Sequence, residues 1–104
     1  MKISTQARTL AKDLLDFIDD SPSPWHAVQS TELRLAKQGY TKLDESQAWQ
    51  LSAGGSYYVV RGGASIIAFS LGKQAIIDSG FRRVGADTDS PCLRLKSHPA
   101  FASD

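Results

Sequence analysis

Two prolines within four residues, in Ser21-Pro22-Ser23-Pro24, restrict this chain more than any other local feature. A proline forces the residue before it out of the helical region, so a helix running into this segment must end near Asp20. Proline is also well placed as the first residue of a helix, and serine just before it can cap the free backbone N–H groups. The segment therefore predicts one helix stopping and another starting with Ser23 as N-cap and Pro24 as first residue. The flanking patterns agree. Leu10, Leu14, Phe17 and Ile18 recur at i, i+4, i+7 and i+8 with Leu15 at the edge, one apolar face of a helix from about Thr5 to Asp19. Trp25, Val28 and Leu35 repeat on one side of a second helix, with Leu33 and Ala36 flanking, that ends at Gly39, a residue suited to a left-handed C-cap. The two read as a helical hairpin with a stiff corner.

After Gly39 the pattern changes from helical to extended. Tyr40 to Leu43 reads as a short strand, and Asp44 to Ser52 as a stretch with a helical turn around Ala48 and Trp49. Ser56 to Arg61 and Ala64 to Leu71 are rich in β-branched and aromatic residues, and Gly62-Gly63 between them fits a two-residue hairpin turn. Gly72 to Gly80 reads as a second loop region, with a strand extension over Gln74 to Ile77 as the alternative; Phe81 to Asp87 is expected to be a further strand, and Leu93 to Lys96 another. The expected fold class is α/β: two N-terminal helices, then a β-rich, incomplete sheet of three to five strands, all in one domain over residues 1–104.

The chain has 104 residues, net charge +1 and a single cysteine, Cys92. That length allows one small domain. Near-zero charge and scattered basic residues argue against a nucleic-acid partner. One cysteine excludes an internal disulfide framework and fits a reducing compartment. No apolar run approaches the ~20 residues needed to span a bilayer, so no membrane partner is expected. The first residues lack the apolar core of a signal peptide. A cytoplasmic protein is the expectation.

The chemistry concentrates in Val84-Gly85-Ala86-Asp87-Thr88-Asp89-Ser90-Pro91-Cys92-Leu93. Asp87 and Asp89 stand at i and i+2, and on a strand such residues share a face. Two carboxylates aimed at one point suit a divalent cation, or one ligand beside one base. Plainer readings stand beside this one. Asp87 at a strand end can be a solvated carboxylate, and Asp89 before Ser90-Pro91 can bond backbone amides in an Asx-turn. His26 has no ligand-type partner one turn away and reads as structural or capping. His98 lies in a polar tail. Cys92 lacks a catalytic His and Asn and reads as a small buried hydrophobe. Trp25, Tyr57 and Tyr58 read as core and sheet residues, and the Gly54-Gly55 and Gly62-Gly63 pairs as turns rather than phosphate loops.

At this point two blocks carry a family resemblance. Ser21 to Val28, reading Ser-Pro-Ser-Pro-Trp-His-Ala-Val, is similar to the Ser-Pro-Ser/Thr-Pro-Phe/Trp-His-Ala segment of the aspartyl aminopeptidase family of zinc metallopeptidases. Val84 to Arg94 resembles that family's Val-Gly-Ala-His-Thr-Asp-Ser-Pro-Cys-Leu-Arg block. Gly39-Tyr40, Trp49, Tyr57 to Arg61, Ser65 to Phe69 and Gly80 to Arg82 follow in the family's order. The resemblance implies an aminopeptidase that removes N-terminal, typically acidic, residues from peptides, with two zinc ions in an α/β catalytic domain and assembly into a homo-oligomer. It implies that position 87 is a zinc ligand and that Asp89 is a catalytic-site residue orienting a histidine ligand. Such a supporting carboxylate fixes tautomer and ligand basicity.

Two departures qualify that transfer. Asp87 stands where the family has histidine; it can bind a metal through oxygen, but it is shorter and adds negative charge. The family is also considerably longer, and its other metal ligands lie downstream. The expectation is therefore an N-terminal portion of a metalloaminopeptidase catalytic domain, inactive on its own. Its exposed sheet edge and apolar faces are expected to dimerise, swap or aggregate. The alternative is a non-catalytic remnant acting as an interaction or oligomerisation module.

Overall fold

The computed structural model describes residues 2–88, 93–98 and 100. Helix α1 spans Thr5–Asp19 and α2 spans Pro24–Lys37. Strands β1 (Thr41–Lys42), β2 (Ser56–Arg61) and β3 (Ser65–Ser70) follow, then a single helical turn, α3, at Ile76–Ser79. The strands form one mixed sheet in the order β1-β2-β3, with β1 parallel and β3 antiparallel to β2. The α/β architecture matches the expectation.

The proline-based reading of the helices holds to the residue. Ser4 caps α1 by accepting from the Ala7 amide at 3.1 Å, and Ser23 caps α2 by accepting from the His26 amide at 3.3 Å, with Pro24 opening the helix. The Ser23 hydroxyl also meets His26 Nδ1 at 2.6 Å. His26 therefore helps hold the cap, the structural role expected of it. Gly39 takes φ +84° just beyond α2 and turns the chain into β1.

The buried apolar residues are few: Ala27 and Val28 on α2, and Tyr57, Tyr58 and Val59 on β2. β2 is the central strand, so consecutive residues face opposite sides of the sheet and both sides are covered there. α2 lies against β3. On one face, Phe69 sits directly across from Tyr57, with ring centroids 5.7 Å apart, and Trp49 stacks on Phe69 at 6.3 Å. The loop carrying Trp49 is held over this face by its indole N–H donating to the Asp44 carbonyl at 2.8 Å. The Ser52 amide, donating to the Tyr57 hydroxyl at 2.9 Å, ties the same loop down.

Several strand-type expectations are corrected. Residues 45–47 form a turn, not a helical turn at Ala48 and Trp49, because the Asp44 carboxylate accepts from the amide and hydroxyl of Ser46. The hydrogen bonds from Ser46 hold the Asp44 carboxyl below its ordinary value. The β2–β3 connection has three residues, Gly62, Gly63 and Ala64, since Arg61 pairs with Ser65. In the Gly72 to Gly80 loop region the alternative strand over Gln74 to Ile77 does not form; Ile76 begins the turn α3. Phe81 to Asp87 and Leu93 to Lys96 are not strands either. Their residues suit a pleated surface, but strand preference is realised only where a neighbouring strand accepts the backbone. Trp25, expected in the core, is 45% exposed. It packs its ring edge against the Gly63 position and carries the Arg94 guanidinium on its face, 5.0 Å from the centroid.

The apolar face of α1 is likewise uncovered, and no residue of that helix is buried. The chain exposes 9597 Å² for its 11.3 kDa, against about 5700 Å² for a compact protein of that mass. α1 is held to α2 at one flank only. Arg34 grips Asp13 through hydrogen bonds of 2.8 and 3.0 Å to its carboxylate and 3.3 Å to its carbonyl, and lies 5.2 Å over the Phe17 ring.

Two stability measurements check this packing. A Cβ at Gly55 would overlap the Tyr57 hydroxyl and ring, whereas Gly54, at φ +76°, faces open space. Gly55→Ala should cost about 2 kcal/mol or more in urea unfolding and Gly54→Ala about 1 kcal/mol; equal costs would contradict the placement of the Tyr57 ring. The hydrogen bond from Arg34 keeps the Asp13 carboxyl below its ordinary 3.8. A carboxylate with a depressed folded-state value stabilises above its unfolded value, and this is lost as pH falls through the folded one. Urea midpoints taken downward from about pH 5 to about pH 3 should therefore fall more steeply for the wild type than for Asp13→Asn. Parallel slopes would contradict the pairing.

Candidate functional site

The corner between α1 and α2 forms one wall of a cleft of about 620 Å³. Ser21, Pro22, Ser23 and Pro24 line that wall, Ile66 of β3 lies at the base, and Ala86, Asp87 and Thr88 close the other side. The volume is typical of sites that hold small molecules. Two segments more than sixty residues apart thus face one another, and each belongs to one of the two blocks singled out in the sequence.

The returning segment reaches this position by running back along the sheet. Phe81 and Arg82 border a groove with Ser70, at the end of β3, while Thr88 lies at its beginning. There the Thr88 hydroxyl donates to the Ala64 carbonyl at 3.1 Å, fixing the backbone next to Asp87. Thr88 was not marked by sequence reasoning. Its only signal was its position between two aspartates, and nothing in the pattern pointed to Ala64.

Asp87 is exposed on the cleft rim. Asp89 and Cys92 lie outside the described residues. The cleft therefore offers one described carboxylate and the hydroxyls of Ser21, Ser23, Thr31 and Thr88, against walls of Phe17, Ile18, proline and Ile66. Oxygen donors of this kind can orient a polar group or accept hydrogen bonds. A larger groove of about 900 Å³ at the other end of β3 is lined by Tyr40, Trp49, Phe69 and Phe81 and has no carboxylate.

Comparison with known proteins settles the family. The aminopeptidase I zinc metalloprotease (M18) family matches residues 17–104. The chain belongs to the M18 family. It is 53% identical over 90 residues to the probable M18 family aminopeptidase 2 of Ectopseudomonas mendocina, covering 86% of this chain and 21% of that protein. The corresponding Pseudomonas paraeruginosa protein is 52% identical over 93 residues, 89% of this chain and 22% of that one. This M18 chain thus spans about a fifth of the length of the curated relatives it matches. Among solved structures, the complex of Ape4 and Nbr1 superposes with a TM-score of 0.60 at 39% identity, covering 70% of this chain and 15% of that one. Yeast aminopeptidase 1 (Ape1) gives 0.57 at 35% identity, over 62% and 16%. The resemblance read from the two sequence blocks is borne out.

A zinc family raises the question of whether these residues fit the metal. Protein zinc sites use at least three side-chain ligands, preferring nitrogen and sulfur. Among the described residues no three His, Cys, Asp or Glu side chains come together. The described part of this M18 chain does not make up a zinc site by itself, and no chemical step is derived through one. No helix among the described residues is long and apolar enough to cross a membrane.

The Thr88 anchor can be tested directly. Thr88→Val keeps the shape and removes a hydrogen bond worth about 1 kcal/mol, so trypsin cleavage after Arg82 or Arg83 should accelerate about fivefold with the fold retained. Unchanged cleavage would show that Thr88 does not hold the segment.

Proposed function

We propose that this chain is the part of a zinc-dependent M18 aminopeptidase that carries the acidic pair, and that peptide hydrolysis requires the remaining four-fifths of the relatives' length. The observation that carries the reading is the meeting of Ser21–Pro24 with Ala86–Thr88 across one cleft. In this reading Asp87 offers an oxygen ligand to a metal, and Asp89 is the catalytic-site carboxylate that supports a neighbouring ligand. The other ligands come from outside these 104 residues. Substrates are peptides with acidic N-terminal residues, the complete protein is a cytoplasmic homo-oligomer, and the chain alone is inactive. Replacing a histidine ligand by Asp87 exchanges a neutral nitrogen for a charged oxygen on a shorter side chain, which weakens zinc binding relative to harder cations.

A second reading is favoured by the uncovered apolar face of α1: a non-catalytic module that binds another chain. The two are separated by a chimera in which this chain replaces the matching segment of the Ectopseudomonas mendocina relative. Release of N-terminal Asp or Glu from short peptides should be undetectable for the 104 residues alone, weak for the chimera, and at least about tenfold faster for the Asp87→His chimera, since one lost metal ligand costs that much or more. An inactive Asp87→His chimera would overturn the peptidase reading. An Asp87→Ala chimera as active as the Asp87 one would remove Asp87 from the metal site.

A further inference from the structure

The β2–β3 turn is engaged at two adjacent residues. At Ala64 its carbonyl accepts the Thr88 hydroxyl. At Gly63 it meets the indole of Trp25: a Cβ there would stand 3.1 Å from Cδ1 and 3.7 Å from Nε1. Glycine at this position, with φ +71°, lets the ring edge come down on the backbone. The ring is fixed from the other side as well. Trp25 follows Pro24 in the first turn of α2, and α2 buries Ala27 and Val28 immediately beyond it. The face of this fixed ring carries the Arg94 guanidinium, 5.0 Å from the centroid. Arg94 is exposed and forms no ion pair among the described residues, so the indole is the contact that locates it there.

We propose that Trp25 and Arg94 are positioning residues for Asp87. Thr88 and Arg94 lie six residues apart in the chain, and both are held to the same turn, Thr88 directly and Arg94 through Trp25. Either contact alone is weak. An exposed hydrogen bond favours the held form about fivefold, and an exposed cation–π pair about threefold. Two tethers to one place reinforce each other, because forming one raises the local concentration of the other, and the two factors multiply. Asp87, bonded to Thr88, is thereby kept on the cleft rim opposite Ser21–Pro24. Neither Trp25 nor Arg94 lines the cleft, so their effect on Asp87 runs through the turn. What Asp87 is positioned for rests on the peptidase reading. The clamp itself is measured on the 104-residue chain without any assay of peptide hydrolysis, so the failure of one and the failure of the other are seen separately.

Trypsin under single-cut conditions reads the clamp at a distance, since Arg82 and Arg83 lie twelve and eleven residues before Arg94. First cleavage after either should be about threefold faster in Arg94→Gln and at least as fast in Trp25→Leu, with the β2 and β3 amides still protected from exchange. The double variant should be no faster than Trp25→Leu alone, because both changes remove one contact. Arg94→Lys, which keeps the cation but not the flat guanidinium, should fall between the wild type and Arg94→Gln. Arg94→Gln combined with Thr88→Val should be about fifteenfold faster than the wild type, the product of the two single effects. In the wild type the Arg94 side-chain protons should be shifted upfield by the indole ring current, and Trp25→Leu should abolish that shift. Unshifted Arg94 protons in the wild type would overturn the proposal. So would cleavage after Arg82 and Arg83 that Arg94→Gln leaves unchanged, since the pair would then form without holding the segment that carries Asp87. An effect of Trp25→Leu with none of Arg94→Gln would reduce the role to the packing of the indole and overturn the pairing.

Discussion

The small core among the described residues is built against β2. Tyr57, Tyr58 and Val59 are the only strand residues among those described that are buried, and they face both sides of the sheet. α2 contributes Ala27 and Val28 to the same small core, the Trp49 loop closes over Tyr57 and Phe69, and β1 and β3 pair along its two edges. Elements that do not reach β2 or its cover are either held by polar contacts or left without a neighbour. α1 depends on Arg34 gripping Asp13, an exposed pair of the kind that contributes little to stability.

This arrangement produces the cleft. Once α2 is seated on the sheet, the proline corner preceding it must stand over the start of β3. Thr88, bonded to Ala64 beside the β2–β3 turn, brings Asp87 to the same place. Ser21–Pro24 and Ala86–Thr88 are therefore adjacent for reasons of packing local to these 104 residues. What the cleft lacks among the described residues is a set of convergent ligands. A catalytic site built from distant segments needs all of them, and this chain carries about a fifth of the length of its curated relatives.

How much was legible in the sequence follows the same division. The helices were, because proline and serine act within a turn of their own position: Pro24 at the first helical residue and Ser23 as cap need no tertiary information. β2 and β3 were legible from their β-branched and aromatic runs, which found partners in one another. Phe81 to Asp87 and Leu93 to Lys96 carry the same signal and form no strand, since a strand requires a neighbour that composition cannot supply. The β2–β3 turn was read one residue too short: Gly62 and Gly63 both take positive φ, as a two-residue turn would also need, but Arg61 pairs with Ser65 and Ala64 joins them in the turn. Asp87 was legible as a candidate from spacing alone. Its position opposite Ser21–Pro24 was not, since only the fold joins residues so far apart.

The central claim is that adjacency, and paramagnetic relaxation measures it most directly. With Cys92 changed to serine, a nitroxide on Ser21→Cys has no competing thiol in the chain. Strong broadening of the Ala86, Asp87 and Thr88 amide signals, with Gln47 and Ala48 on the loop that covers the other face of the sheet unaffected, is the predicted result. Sharp signals at 86–88 in a chain whose β2 and β3 amides remain protected would mean that the two blocks do not share a cleft, and the account of this site would fail.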